Sequence, residues 1–119
     1  VDASLEQHRQ VARRLLEEFW SGEDEGIADE LFTAGFHHHM APEETPPGPD
    51  GQKVFVASVR GQVPGLRIAV DDVIAEGDRV AVRWTATFEP APGERESYPG
   101  ADILRLEDGR IAELWSFVP

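Results

Sequence analysis

Along the first twenty residues the apolar positions recur with a period of about 3.6. Leu5, His8, Ala12, Leu15, Leu16 and Phe19 fall at i, i+3 and i+4 spacings, which predicts an amphipathic helix over residues 4–20. Ser4 followed by Gln7 has the form of a capping box, and Gly22 ends the segment. A shorter helix is expected over residues 24–32, with Ile27, Leu31 and Phe32 as its apolar edge. Phe36-His37-His38-His39-Met40 reads as a short extended segment, followed by a proline-rich loop over 41–48. Pro49 suits the first turn of a third helix running to Gln62, with Val54, Phe55, Ala57, Ser58 and Val59 available to pack. Pro64-Gly65 then breaks the pattern and the period changes to two.

Strands are predicted over 66–75, 79–88, 94–106 and 111–117, with turns at Gly77-Asp78, Pro90–Gly93 and Asp108-Gly109. In the second of them Val80, Val82, Trp84, Ala86 and Phe88 share one face, and Ala81, Arg83, Thr85 and Thr87 the other. Pro99-Gly100 inside the third strand points to a bulge or kink. Asp108-Gly109 is a strong type I′ hairpin signal, because that turn needs positive φ at both central residues. A regular hairpin about it would pair Glu107 with Arg110, Leu106 with Ile111, Leu104 with Glu113 and Asp102 with Trp115. Its apolar face would carry Leu104, Leu106, Ile111, Trp115 and Phe117, with Asp102 and Glu113 among them. Two carboxylates on an apolar face are expensive to bury unless paired or protonated, which is a first pointer to a site. Helices followed by an antiparallel meander define an α+β order, one domain over residues 1–119, with the helices on one face of a curved sheet.

Composition narrows the functional classes. The 119 residues are 40% hydrophobic and 29% charged, ordinary for a globular protein. No apolar run approaches the roughly 20 residues a membrane-spanning helix needs, and no segment reads as a signal peptide. With 23 acidic against 11 basic residues the net charge is −12, so the surface repels phosphate backbones and nucleic acid is not an expected partner. Cysteine is absent, which excludes disulfides, thiolate metal sites and a cysteine nucleophile, and fits a cytoplasmic setting. There is no phosphate-binding loop and no G-x-S-x-G elbow.

Three stretches carry a resemblance to a known family: Leu16-Glu-Glu-Phe-Trp20, the run from Pro64 to Trp84, and Asp102-Ile-Leu-Arg-Leu-Glu-Asp-Gly-Arg-Ile-Ala-Glu-Leu-Trp115. Together they resemble the SnoaL-like polyketide cyclases of the nuclear transport factor 2-like superfamily. The resemblance implies a cone-shaped α+β barrel, three N-terminal helices packed on a curved, mostly antiparallel sheet around one deep pocket. It also implies a homodimer paired through the convex sheet face near Arg83, Thr85 and Thr87, and chemistry without a cofactor. Asp102 matches the family's acid/base aspartate and His39 its frequent histidine. The sequence departs from the family pattern at Glu113-Leu114-Trp115, where Glu-His-Trp is usual, at Ser116, where an aspartate is usual, and in the shortened loop from Glu89 to Tyr98.

These readings define a candidate site. Asp102 is expected as a desolvated acid/base group, set against the plainer role of an edge-strand hydrogen-bond acceptor. His39 and Tyr98 are expected to stabilise an enolate oxygen, and Trp20, Phe36, Phe55, Trp84 and Trp115 to hold the ligand, the alternative for each aromatic being core packing. Glu113 is read as structural. In an extended segment His37 and His39 point one way and His38 the other, so at most two converge, and no zinc-type spacing accompanies them. One pocket histidine, His39, stands against a solvated triplet, and no metal is expected. The function expected is a cofactor-independent cyclase or isomerase acting on a hydrophobic, carbonyl-bearing small molecule. The alternatives are a non-catalytic binding module of the same fold, or a dimerising unit with a filled pocket.

Overall fold

The computed structural model describes residues 3–22 and 24–119. Helix α1 (Ala3–Arg13) runs directly into a π-helical segment, Arg14–Trp20. Ser4 therefore lies within the first turn of the helix. The wide π turn buries Leu15, Leu16 and Phe19, and Gly22, at φ +79°, stops the segment while donating its N–H to Phe19 O. A 3₁₀ turn (Glu25–Ile27), opened by the Asp24 carboxylate accepting Gly26 N–H at 2.9 Å, leads into the one-turn helix α2 (Ala28–Leu31). Phe32 does not extend that helix. It begins strand β1 (Phe32–His38), which is longer than the sequence pattern predicts.

Helix α3 (Gly48–Gln62) follows the proline-rich loop. Its packing face differs from expectation: Gln52 and Val56 are buried with Phe55 and Val59 partly so, while Val54, Ala57 and Ser58 face solvent. Strands β2 (Arg67–Glu76), β3 (Arg79–Phe88), β4 (Glu96–Glu107) and β5 (Arg110–Phe117) complete a five-stranded open sheet of order β1-β5-β4-β3-β2. Only the β1–β5 pair is parallel. The result is the expected α+β cone, three helices packed on a curved, mostly antiparallel sheet.

One hydrophobic cluster joins the layers. Phe19 meets Phe32 edge-on at 5.6 Å, and both sit over Leu104, Leu106, Ile111 and Leu114, all at most 3% exposed. Burial of side chains this size contributes about 1.5–3 kcal/mol each.

Besides an irregularity between Phe32 and His37 in the β1–β5 pair, two one-residue bulges in the antiparallel pairs bend the sheet. In β2, Val70 pairs with Trp84 and Asp72 with Arg83, leaving Asp71 as the extra residue. In β5, Ile111 pairs with Leu106 and Glu113 with Arg105, leaving Ala112 extra. The Asp108-Gly109 turn itself has positive φ at both residues, 50° and 78°, and the pairs next to it are those of a regular hairpin. Beyond Ala112 every side chain changes face. Leu104 therefore pairs with Leu114 and Asp102 with Ser116, not with Glu113 and Trp115. Leu114 and Ser116 join Asp102 on the inner face, and Glu113, Trp115 and Phe117 turn outward.

No bulge occurs at Pro99-Gly100; the β3–β4 pairing is continuous from Arg79↔Arg105 to Phe88↔Glu96. Gly100 is there for close approach: a Cβ at that position would overlap the Trp84 ring that lies across it.

The π segment is fastened to edge strand β2. Ser21 Oγ accepts Ile68 N–H at 2.9 Å, and Glu17 Oε2 accepts Val70 N–H at 3.1 Å. Arg60 of α3 donates to both Trp20 O (2.8 Å) and Leu66 O (2.9 Å). Backbone groups that an edge would leave open are thus satisfied by the layer above.

Candidate functional site

Between the helices and the inner sheet face lies a cavity of about 220 Å³. Its walls are aromatic: Trp20 from the π segment, Phe55 from α3, Trp84 from β3 and Tyr98 from β4. Trp20 and Phe55 meet edge-on at 5.9 Å, as do Trp84 and Tyr98 at 6.0 Å, so each pair fixes the other's orientation. Met40 and Val118, exposed at 60% and 58%, stand at the opening.

The polar groups on its lining form a chain. Asp102 is 2% exposed and His38 7%. Ser116 Oγ donates to Asp102 Oδ1 at 2.8 Å and lies 3.5 Å from His38 Nε2. On its other side His38 Nδ1 faces both side-chain atoms of buried Gln52, Nε2 at 3.3 Å and Oε1 at 3.4 Å. Burial pushes the Asp102 carboxyl up from 3.8 to about 6, held back by hydrogen bonding from Ser116 and by the nearby Trp84 indole. That indole N–H is fully buried and makes no well-aligned hydrogen bond, so its hold on the carboxylate is electrostatic rather than directional. Burial drives His38 the other way, from 6.5 to about 4, offset in part by Gln52. Burial also raises Tyr98, keeping its hydroxyl a donor at neutral pH. Near pH 7 the site therefore holds a largely ionised Asp102 and a neutral His38.

Asp102, Tyr98, Trp20, Phe55 and Trp84 are brought together around this cavity. Three expected residues are not. Phe36 is buried in the core, its ring 4.4 Å from Phe32. His39 lies on the outer face, where its Nε2 is 3.1 Å from Glu113 Oε2 and its ring stacks on Trp115 at 4.5 Å. Trp115 is outside for the same reason as Glu113, the change of face at Ala112. Arg79 covers the Trp115 ring at 5.4 Å, and Arg105 holds the other Glu113 oxygen at 2.9 Å. The Glu113 carboxyl is lowered, chiefly by His39 and then by Arg105, consistent with a structural ion-pair role.

His38, Ser116 and Gln52 are the polar residues that the sequence did not single out. For His38 a signal existed: Phe36 shares its parity on β1, and a large apolar residue marks the inner face. For Ser116 the signal was hidden by the bulge. Among the described residues no three histidine or acidic side chains converge as a metal site would require.

A cavity lined by rings with one buried carboxylate can hold a small apolar molecule and move a proton on it. Comparison with known proteins agrees with this architecture. The model of the SnoaL-like polyketide cyclase family matches residues 10–118. A candidate polyketide cyclase from Bacillus cereus ATCC 10987 is 27% identical with a TM-score of 0.80, over 93% of this chain and 73% of that one. A candidate SnoaL-like polyketide cyclase from Jannaschia sp. CCS1 is 24% identical with a TM-score of 0.84, over 98% and 88%. A candidate isomerase of the SnoaL-like family from Agrobacterium tumefaciens strain C58 is 20% identical with a TM-score of 0.79, over 96% and 98%. No curated protein matches. With all but its first nine residues and its last covered by one family model, the chain belongs to the SnoaL-like polyketide cyclase family.

Proposed function

We propose that this protein is a cofactor-independent acid/base enzyme of the cyclase or isomerase kind, acting on a hydrophobic ketone or polyketide-like intermediate. The observation that carries the reading is Asp102: a carboxylate 2% exposed, in an aromatic cavity, with a pKa of about 6. Such a group takes a proton from the carbon next to a carbonyl and returns it elsewhere, because its own protonation lies close to working pH. Tyr98 serves as donor to the developing enolate oxygen, an interaction that contributes on the order of 2.7–4 kcal/mol when well aligned. Trp20, Phe55 and Trp84 hold the rings. A cavity of about 220 Å³ takes one or two rings fully enclosed, and a larger polycycle would project past Met40 and Val118.

The test is exchange of the α-protons of a two-ring ketone, 2-tetralone, into D₂O, followed by proton NMR. Wild type should accelerate exchange over buffer and Asp102→Asn should return it to the buffer rate. Equal exchange by both proteins refutes the acid/base role. Binding of 2-tetralone by both with no acceleration by either would identify a carrier of the same fold instead.

The dimer implied by the family resemblance belongs to this proposal as well. Its surface would be the outer sheet face, where Ile74, Ile103 and Phe117 are exposed beside the Arg83–Asp72 pair.

A further inference from the structure

A second cavity, about 100 Å³, lies beneath the proline-rich loop and is lined by Ala41, Glu43 and Thr45 of the loop together with His37, His38 and Gln52. His38 lines both cavities, Gln52 only this one, and Ser116 only the aromatic one. The hydrogen-bonded chain Gln52–His38–Ser116–Asp102 therefore crosses the wall between them.

We infer that His38 and Ser116 form a proton relay joining Asp102 to the second cavity, and that Gln52 accommodates it by serving His38 Nδ1 as donor in one state and acceptor in the other. The relay deepens the acid/base reading of Asp102 and rests on it.

The atoms allow two self-consistent states. An ionised carboxylate only accepts, so the single Ser116 hydroxyl proton points at Oδ1 across 2.8 Å. Ser116 then offers a lone pair to His38, whose proton sits on Nε2, and the bare Nδ1 accepts from Gln52 Nε2. When a proton arrives at Nδ1 from the second cavity, the Nε2 proton passes to Ser116 Oγ and the Ser116 proton to Asp102 Oδ1. Two N–H or O–H bonds break as three form, and one proton has been gained. The carboxyl is now neutral and donates to Ser116, Ser116 donates to Nε2, and Nδ1–H donates to Gln52 Oε1. Run in reverse, the same steps drain a substrate-derived proton from Asp102 while a bound ligand fills the aromatic cavity.

The near-equal distances of the two Gln52 atoms from Nδ1, 3.3 and 3.4 Å, are what a reversible partner requires. Burial keeps His38 neutral at rest, so the relay differs in tautomer between its states and not in charge. The titratable groups around it are few. His37 on β1 and His39 just beyond its end flank His38 and disfavour its charged form. Glu43 faces it across the second cavity and Tyr98 shares the aromatic one, while α3 presents uncharged Gln52, β3 the Trp84 indole and β5 Ser116. The second cavity is polar and roomy enough for water.

The experiment is a ¹⁵N NMR titration of His38 from pH 8 to pH 5 in the full chain, which distinguishes protonated from bare ring nitrogens. The relay requires His38 to pass from the Nε2–H to the Nδ1–H tautomer, without becoming imidazolium, along the titration of Asp102 itself. Ser116→Ala should abolish that coupling and Ser116→Thr restore it. A tautomer independent of pH in wild type, or a change that survives in Ser116→Ala, overturns the relay. Should Ser116→Ala fail to fold, the wild-type titration and Ser116→Thr decide the matter, with loss of coupling in Ser116→Thr counting against it. No turnover is needed, so the relay can fail while ketone exchange shows Asp102 to be the base, and the reverse.

Discussion

Replacing Asp102 by Asn separates two buried titrations that oppose each other in the wild type. The Asp102 carboxyl is raised from 3.8 to about 6 by burial. An acid whose folded pKa exceeds its unfolded value stabilises the fold while protonated. That contribution is complete below pH 3.8 and is lost as pH rises through 6. His38, depressed from 6.5 to about 4, behaves oppositely: its contribution is present above pH 6.5 and is lost as pH falls through 4. Each displacement corresponds to ~3 kcal/mol over its full range. Between pH 4.5 and 8 the two nearly cancel, so the pair leaves little pH dependence of its own.

Asp102→Asn keeps an acceptor for the Ser116 hydroxyl and removes only the aspartate titration. The unfolding free energy of the variant minus that of wild type should therefore rise by ~2 kcal/mol from pH 4.5 to pH 8. Urea denaturation followed by circular dichroism at five pH values measures it, and taking the difference cancels the other 22 acids, 23 less one. A difference that is flat or falls with pH refutes the desolvation argument for Asp102. His38→Asn should give the opposite slope.

Gly100→Ala places a methyl group against the Trp84 ring and should cost about 1–3 kcal/mol in urea denaturation; a cost near zero would show that the two residues are not in close approach. Deleting Ala112 removes the extra residue while keeping Glu113 opposite Arg105 and Leu114 opposite Leu104, so a cooperative unfolding transition by circular dichroism should survive; its loss would show that Ala112 is not the inserted residue. His39→Ala should leave affinity for 2-tetralone unchanged, measured by quenching of tryptophan fluorescence, whereas Trp20→Ala should weaken it. Sedimentation velocity at micromolar concentration should show a dimer, and Phe117→Glu should convert it to a monomer.

Hydrophobic period was enough to read the helices, the meander and the Asp108-Gly109 turn. What it could not supply was the one-residue insertion at Ala112, because alanine packs on either face and breaks no pattern. The clue was energetic. Strict alternation put Glu113 on the apolar face and Leu114 on the polar one, a conflict that a bulge resolves and a second buried carboxylate does not. Asp102 kept its inward position because it precedes the turn; Trp115 and Ser116 exchanged sides because they follow the insertion. At the end of β1 and just past it the alternation of His37, His38 and His39 was legible, yet its phase depended on Phe36, whose burial fixes His38 as the inner residue. Gln52 looks like any polar helix position until the fold sets it behind His38.

The fastening of the π segment bears on how a ligand is admitted. With Ser21 and Glu17 bonded to the edge of β2, and Arg60 clasping Trp20 O and Leu66 O, the roof cannot lift without breaking several hydrogen bonds at once. Traffic would be left to the rim formed by Met40 and Val118, two exposed apolar side chains. In the proposed enzyme, uptake and release would then be governed by rim side chains that stand apart from the proposed Asp102 relay. Residence time becomes a property that sequence change can tune at the doorway while the proton-handling interior is left alone.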